Sequence, residues 1–345
     1  MTAEGSCPNP MAQPTILLTH PPEMRALYYG SEATAALEQL GTVRLNEGTA
    51  TLVGEALIEA AQGCRVIVSD RGTPGAVDLF AKAKSLVAFV RCAMDVRNID
   101  IAAASAHGVL VTRASPGWVD AVVETILGHM INLARRLPEA AVTYRLGNVP
   151  PPQMGVQLAG RTIGIIGYGN LGRRLAEVAH ALRMRVLVYD PYVTVQTPDA
   201  RQVEFGTLLG DSDVVVCLAV YTDETENLMD AAAFRRMKAS SFFVNASRGG
   251  LVDERALEEA LTAGRLAGAA LDVGRAPDNL PTPRLAQLPN VLASPHIAGL
   301  VPEAIAHQAL ETVDQVAVIL AGRIPEGALN GDHAFRLRAT SGYDR

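Results

Sequence analysis

The chain reads TIGIIGYGNLG from Thr162 to Gly172, an apolar run that ends in a glycine-rich turn. A polar run with helix-forming residues follows, and a second apolar run, Val186 to Tyr189, ends at Asp190. The order strand, tight turn, helix, strand and acid is typical of a dinucleotide-binding unit. The first glycine permits the turn, the second lets the backbone approach a pyrophosphate, and the third lets the helix pack on the strand.

The acid at the end of the second strand predicts which dinucleotide is bound. Asp190 lies eighteen residues after Gly172 (190 − 172), where a carboxylate can accept hydrogen bonds from ribose hydroxyls. A carboxylate there would repel a 2′-phosphate, so we expect NAD rather than NADP. The predicted cofactor-binding residues of this segment are Gly167, Tyr168, Gly169, Asn170, Leu171, Gly172 and Asp190.

Length and composition limit which classes of protein this chain can belong to. The chain has 345 residues, 49% of them hydrophobic, and a formal net charge of −6, which predicts two domains and disfavours nucleic-acid or anionic-membrane binding. Four scattered cysteines (Cys7, Cys64, Cys92 and Cys217) show no metal-ligand spacing, so we expect no metal site and a reducing, cytoplasmic location. Residues 1–13 do not resemble a signal peptide, and no apolar run reaches membrane-spanning length.

Strand and helix patterns alternate along most of the chain. The pattern predicts two Rossmann-like or flavodoxin-like α/β domains with doubly wound parallel sheets and the active site in the cleft between them. We expect a substrate domain over 14–125, completed by 300–340, and a dinucleotide-binding domain over 126–299 inserted in it. A helical stretch is predicted over about 24–40 and one long helix over 119–137, and 138–152 is predicted to connect that helix to the strand before the glycine motif.

Two residues at predicted strand ends are candidates for chemistry. Arg248 follows the strand Phe242-Phe243-Val244, and its planar guanidinium suits a substrate carboxylate. His296 follows another strand, in Ser294-Pro295-His296, and imidazole suits giving a proton to a reduced carbonyl or taking one from a hydroxyl. An arginine in a loop is usually a surface ion-pair partner and a histidine is usually structural, so each position needs support from its surroundings.

The run from Gly160 to Gly299 resembles the D-isomer-specific 2-hydroxyacid dehydrogenases. The resemblance rests on the glycine motif with Asp190 and on Asn-Ala-Ser-Arg-Gly (245–249), Gly-Ala-Ala-Leu-Asp-Val (268–273) and Pro-His-Ile-Ala-Gly (295–299). It implies an NAD-dependent homodimeric enzyme in which Arg248 binds the substrate carboxylate and carbonyl and His296 is the acid/base. Asp272 would contact the nicotinamide carboxamide, and Ala246 and Gly299 join Arg248, Asp272 and His296 as cofactor-binding positions.

The chain departs from the family pattern in two places. The family has a Glu that hydrogen-bonds the catalytic His, whereas Pro277 stands at that position and Ala276 before it, so Asp278 is the nearest acid. The family also has a glycine-rich substrate loop, whereas this chain has Ala93 and Asp95 at the positions of two of those glycines. Asp95 is either a tight-turn residue in a left-handed conformation or a carboxylate in the pocket.

These observations predict a substrate pocket and leave alternatives for the function. Met94, Asp95 and Trp118, together with Arg248 and His296, are the predicted substrate-binding residues, although a lone Trp is usually core. Arg248, His296 and Asp278 are the predicted catalytic residues, acting on a small 2-hydroxyacid or 2-oxoacid. The missing Glu favours one alternative, an NAD(H)-sensing scaffold or corepressor of the same fold. A second alternative is a dehydrogenase of an atypical anion such as formate, although formate-oxidising relatives have Gln at the Glu position and neither Pro277 nor Ala276 matches it.

Overall fold

The computed structural model describes residues 13–340. Cys7 and the segment on which the signal-peptide prediction rests lie outside the described residues, as do residues 341–345. The strands are β1 (Thr15–Leu18), β2 (Thr42–Leu45), β3 (Val66–Ser69), β4 (Ala88–Arg91), β5 (Leu110–Arg113), β6 (Thr162–Ile166), β7 (Arg185–Tyr189), β8 (Arg201–Gln202), β9 (Val214–Cys217), β10 (Phe242–Asn245), β11 (Gly268–Leu271) and β12 (Val291–Ala293).

The helices lie between and after these strands. They are α1 (Pro22–Tyr28), α2 (Gly30–Glu38), α3 (Gly54–Ala60), α4 (Val77–Lys82), α5 (Ile101–Ala106), α6 (Val119–Arg135), α7 (Leu137–Arg145), α8 (Asn170–Ala181), α9 (Phe205–Asp211), α10 (Ala231–Arg236), α11 (Glu254–Thr262), α12 (Pro283–Ala286), α13 (Pro302–Leu320) and α14 (Phe335–Thr340). Short 3₁₀ turns occur at Gly249–Leu251, Pro277–Asn279 and Gly331–His333.

The chain divides into two compact units. The first joins the residues up to Gly117 to those from Pro302 onward, and the second runs from Trp118 to Val301. Helix α6, in which the predicted junction at 125/126 falls, belongs wholly to the second unit. The chain therefore leaves one unit, completes the other and returns.

The first unit is built on a parallel sheet. Within the described residues its strand order is β2-β1-β3-β4-β5, with every pair parallel. This is the flavodoxin-like order, in which the chain changes direction between β1 and β3. Helices α3, α4 and α5 pack on one face, and α2 packs with α13 and α14 on the other. The second face therefore includes residues from the end of the chain, such as Val316 and Leu337, in its core.

The second unit carries a larger parallel sheet. Its strand order over the described chain is β12-β11-β10-β9-β6-β7-β8. The direction of winding reverses between β6 and β9, as in Rossmann domains. Helices α6 and α8 cover one face, and α9, α10 and α11 cover the other. The predicted fold class, two doubly wound parallel α/β domains, is confirmed.

Two helix predictions differ from the structure. The predicted helix over 24–40 is two helices, because Tyr29 leaves the helical conformation (φ −131°) and Gly30 has φ +83°. The predicted connection over 138–152 begins instead with α7, which Arg136 separates from α6 by a left-handed conformation (φ 53°). No helix within residues 13–340 has both the length and the apolar character that a membrane crossing requires.

Candidate active site on the nucleotide-binding unit

The glycine-rich turn lies where the winding of the second sheet reverses. Gly167 follows β6 with φ +96°, and a Cβ there would lie 2.8 Å from the backbone of Leu218 and Ala219, which follow β9. A Cβ on Gly172 would overlap the carbonyl oxygen of Gly167. Gly169 is the N-cap residue of the twelve-residue helix α8, and the space that its Cβ would fill is open. The turn therefore fits a pyrophosphate held at a helix N-terminus.

Asp190 holds the turn from the next strand. One carboxylate oxygen accepts the backbone N–H of Tyr168 at 2.7 Å, and the other accepts those of Tyr192 at 2.9 Å and Val193 at 3.1 Å. A carboxylate offers about four acceptor positions. Three of them are used within the protein, so we expect Asp190 to accept about one hydrogen bond from a ribose hydroxyl.

The other cofactor-binding residues predicted in this segment differ in exposure. The side chain of Tyr168 is 5% exposed within the core, with the Arg173 guanidinium 5.0 Å from its ring centroid, so only its backbone can face a cofactor. Asn170 is exposed at the start of α8, whereas Leu171 is half-buried against the core. The predicted roles of these residues stay predictions.

Three adjacent strands end at one edge of the sheet with a candidate residue each. Arg248 follows β10, Asp272 follows β11 directly, and His296 follows β12. Since the strands are parallel, their carboxyl ends meet at the same edge, where ligands of open α/β sheets bind. Within the described residues, no group of three His, Cys, Asp or Glu side chains could hold a metal ion there or elsewhere.

The loop that carries Arg248 is fixed from within. The amide of Asn245 donates to the Arg248 carbonyl at 3.0 Å, and its oxygen accepts the Ser247 N–H at 3.1 Å. The half-buried Ala246 lies between these two residues. The Arg248 side chain is exposed, with one guanidinium N–H donating to the Ser247 carbonyl at 2.7 Å. Its guanidinium can therefore meet a ligand carboxylate from solvent.

A second loop, Val273 to Asn279, is clamped onto the Arg248 loop. A Cβ on Gly249 would overlap the carbonyl of Gly274, so the two backbones touch. The Arg275 guanidinium donates to the carbonyls of Val252 at 3.0 Å and Gly250 at 2.8 Å. It also donates to Glu226 and Asn227, at 2.8 and 2.6 Å. This clamp was not foreseen from the sequence, which shows Arg275 only as one more exposed basic residue.

His296 has its partner in that second loop, and the partner is a backbone atom. The imidazole is exposed, and its Nδ1 lies 3.1 Å from the carbonyl oxygen of Asp278. A carbonyl only accepts, so Nδ1 carries the proton in the neutral ring and Nε2 has the lone pair. Asp278 and Asn279 both have φ 59°, and these two left-handed residues turn the carbonyl toward the ring. It is the backbone of Asp278, rather than the predicted carboxylate, that makes this contact.

Asp272 lies beneath the turn that carries His296. Its side chain is 1% exposed, and its oxygens accept the backbone N–H groups of Ile297 and Ala298, both at 3.1 Å. Its backbone carbonyl accepts the N–H of His296 at 2.9 Å. The predicted contact of this carboxylate with a nicotinamide carboxamide stays a prediction, since its oxygens are engaged in holding the turn. Half-buried Gly299 ends the turn and lies against the side chain of Trp118.

Of the predicted substrate-binding residues, Trp118 lies in the second unit with Arg248 and His296, whereas Met94 and Asp95 lie in the first. The half-buried Trp118 side chain packs on the core beneath α6, as a structural residue would. Met94 is half-buried in the loop after β4. Asp95 is bound by Arg97 through two hydrogen bonds of 2.9 and 2.7 Å, and these hold the pKa of Asp95 far below its usual range. Arg71 lies 3.5 Å from the same carboxylate.

Asp95 is a turn residue, although not in the expected conformation. Its carboxylate accepts the backbone N–H of Arg97 at 3.1 Å, which closes a turn, but Asp95 is not among the residues with positive φ. Two arginines offset its charge, so the structure offers no support for selection of a cationic substrate by this side chain.

A buried arginine under the same loop was also missed. Arg91 is 0% exposed, and its guanidinium donates to the Asp70 carbonyl, to the Thr73 carbonyl at 2.8 Å and to the Asn98 side chain at 2.7 Å. Burial lowers the pKa of Arg91 to about 10, so it remains charged at neutral pH. The residue ties the loops after β3 and β4 together.

Comparison with known proteins agrees with this architecture. The family model described as D-isomer specific 2-hydroxyacid dehydrogenase, NAD binding domain, matches residues 127–298. The chain is 35% identical over 280 residues to the D-3-phosphoglycerate dehydrogenase of Archaeoglobus fulgidus, a match that covers 80% of this chain and 53% of that protein. It spans about half the length of the D-3-phosphoglycerate dehydrogenases that it matches.

A shorter relative and a solved structure are covered almost completely. The glycerate dehydrogenase of Methylorubrum extorquens is 32% identical over 286 residues, which are 80% of this chain and 89% of that protein. The crystal structure of the TT0316 protein from Thermus thermophilus has a TM-score of 0.77 at 29% identity, over 91% of this chain and 99% of that one. The resemblance inferred from the motifs is thus confirmed, and the chain belongs to the D-isomer-specific 2-hydroxyacid dehydrogenase family, with its NAD-binding domain at residues 127–298.

Proposed function

We propose that this protein is an NAD-dependent oxidoreductase that transfers a hydride between NAD(H) and a small 2-hydroxyacid or 2-oxoacid. The observation that carries the proposal is the hydrogen bond between His296 Nδ1 and the Asp278 carbonyl. It presents Nε2 of an exposed imidazole as the nitrogen that exchanges a proton. The neighbouring strand ends supply Arg248 and the buried Asp272 at the same sheet edge.

The chain's residues divide the work of the reaction. NADH bound at the glycine turn would supply the hydride for the carbonyl carbon of the substrate. Arg248 holds the substrate carboxylate and polarises the carbonyl, stabilising negative charge as it develops on oxygen. Protonated His296 gives its Nε2 proton to that oxygen and is left as the Nδ1–H tautomer, which is the form that Asp278 holds.

The missing family Glu does not by itself remove the acid/base. A carboxylate partner would stabilise imidazolium, whereas a peptide carbonyl only fixes the ring orientation and the tautomer. The proposed role of the partner is therefore orientation. We propose the first unit as the substrate domain; a homodimer and a cytoplasmic location stay predictions.

The first experiment follows NADH absorbance with a panel of 2-oxo acids, from glyoxylate and hydroxypyruvate to branched and aromatic ones. Hydroxypyruvate comes first because glycerate, its reduced form, gives its name to a relative of which this chain covers 89%. We expect turnover that falls by about 10²- to 10⁴-fold in His296→Ala, the range for loss of a general acid. Arg248→Lys should raise KM for the oxo acid.

A matched variant tests the backbone partner. Asp278→Asn removes the carboxylate but keeps the carbonyl and a residue type that tolerates positive φ, so kcat should stay within about threefold of the wild type. A loss as large as that of His296→Ala would show that the carboxylate itself acts. NADH binding without turnover of any oxo acid, or of formate with NAD⁺, would contradict the dehydrogenase and favour the sensing scaffold.

A further inference from the structure

A buried polar chain connects helix α6 to the turn that carries His296. His129 lies on the buried face of α6 with 7% of its surface exposed, and its Nε2 is 3.2 Å from the hydroxyl of Ser294. The Ser294 hydroxyl is in turn 2.6 Å from one carboxylate oxygen of Asp272. The three side chains come from α6, from the residue after β12 and from the residue after β11.

The direction of each hydrogen bond follows from what the groups can do. An ionised carboxylate only accepts, so the Ser294 hydroxyl donates to Asp272. The Ser294 oxygen is then the acceptor for an N–H at Nε2 of His129. Burial lowers the pKa of His129, against the opposing effect of the Asp272 charge, so the neutral Nε2–H ring is the form expected at neutral pH.

This series of hydrogen-bonded side chains leads to a strained turn at His296. His296 has φ 54°, a left-handed conformation that costs free energy in a residue with a side chain. The Asp272 carboxylate accepts the N–H groups of the two residues that follow, Ile297 and Ala298. Together with the bond from His296 N–H to the Asp272 carbonyl, these bonds hold the turn from below.

We propose that His129 and Ser294 are positioning residues for His296: they fix the rotamer of the Asp272 carboxylate, which holds the turn that carries the imidazole. This inference rests on the proposed role of His296 as acid/base. Two separate sets of contacts then hold His296, one to its ring and one to its backbone. The Asp278 carbonyl orients its ring, and the Asp272 network orients its backbone.

A merely structural role for His129 accounts less well for the arrangement. The neighbouring buried positions of α6, Val123, Ile126 and Met130, are apolar, and an apolar side chain at 129 would fill the same space without a polar atom to satisfy. The hydrogen bond that satisfies the buried Nε2 leads directly to the carboxylate under His296.

The test compares four variants with the wild type. Ser294→Ala removes the donor to Asp272, His129→Leu removes the donor to Ser294, and His129→Gln keeps an N–H of similar reach. Ser240→Ala, at an exposed serine of the same unit, is the matched control. Misplacement of a catalytic group by about 1 Å can cost about 10²-fold in rate. We expect kcat to fall by about 10- to 100-fold in Ser294→Ala and by about 3- to 30-fold in His129→Leu.

The remaining readouts separate positioning from general damage. His129→Gln should recover most of the lost kcat, and the Kd for NADH should change by a smaller factor than kcat in every variant, because the glycine turn that holds the pyrophosphate is untouched. Equal kcat in the wild type, Ser294→Ala and His129→Leu would overturn the proposal. Loss of kcat in step with loss of Tm, without recovery in His129→Gln, would overturn it too, since that is the pattern of a structural residue.

A measurement that needs no turnover keeps this inference apart from the proposed function. In the cofactor-free protein with labelled histidine, the imidazole signals of His296, assigned from His296→Ala, should move in Ser294→Ala and stay in place in Ser240→Ala. Unmoved His296 signals in Ser294→Ala would refute the positioning role. If the signals move but no oxo acid is reduced by the wild type, the positioning stands and the dehydrogenase proposal fails.

Discussion

Mild acid should destabilise the protein through one buried histidine of the first unit. The His20 side chain is 2% exposed and packs against Tyr29, with 5.1 Å between the ring centroids. Burial lowers the pKa of His20 to about 4, although the Asp70 carboxylate opposes this; Arg25 and Arg91 lower it further. The folded protein therefore keeps His20 neutral at pH values where the unfolded chain already binds a proton.

The magnitude follows from the two pKa values. The unfolded chain binds this proton near the ordinary value of 6.5 and the folded protein only near 4, so stability is lost as pH falls through that window. A difference of about 2.5 pKa units corresponds to about 3 kcal/mol over the whole window. About 2 kcal/mol of this is lost between about pH 7.5 and about pH 5.

Urea unfolding followed by circular dichroism at these two pH values measures the effect. In His20→Phe, which cannot titrate, the free energy of unfolding should change by about 2 kcal/mol less between the two pH values than in the wild type. His333→Gln, at an exposed histidine, should behave like the wild type. His129, whose pKa burial also lowers, is present in all three proteins and cancels. The same pH dependence in the wild type and His20→Phe would refute the reasoning.

Three further substitutions test the loops and caps of the second unit. Gly249→Ala should destabilise the protein by about 1–3 kcal/mol and lower kcat, because the new Cβ overlaps the Gly274 carbonyl. Thermal unfolding would measure the loss of stability. The control is Gly128→Ala, which has open space at its Cβ and should not destabilise the protein. Asp253→Ala should cost about 1 kcal/mol in urea unfolding, since the carboxylate caps α11, and Asp253→Ser should restore most of it. Asp190→Ala should relax the preference for NAD over NADP in steady-state kinetics, and unchanged selectivity would remove Asp190 from the cofactor argument.

The parts of the fold that were predicted correctly depend on local sequence signals. Backbone geometry requires Gly167, by its φ, and Gly172, whose Cβ would overlap the Gly167 carbonyl, so the glycine spacing together with the flanking apolar runs predicts the strand, turn and helix. Arg248 and His296 were correctly placed at one sheet edge because each follows a predicted strand within a few residues, and parallel strands bring such positions together; their roles stay predictions. The break at Tyr29 and Gly30 was missed because the apolar pattern continues across it.

The contacts around His296 could not be predicted in the same way. Its partner is a carbonyl oxygen, a group that every residue has, so residue type carries no information about it. The clamp by Arg275 depends on tertiary contacts with the Arg248 loop, and the left-handed conformations of Asp278 and Asn279 are ones that their residue types permit but do not require. His129 and Ser294 are far apart in the sequence, and only the packing of α6 on the sheet brings them together.

The discontinuous first unit has a consequence for the order of folding during synthesis. Its sheet is complete by Arg113, but one face of that sheet packs on α13 and α14, which leave the ribosome almost two hundred residues later. The second unit, by contrast, contains all its strands and helices in one continuous stretch. Domains fold as units during translation, so we expect the inserted unit to reach its native state first. Until α13 is synthesised, apolar residues of the N-terminal segment such as Ile16 and Leu18 would stay exposed to solvent. We expect the nascent chain to be most prone to aggregation in that interval.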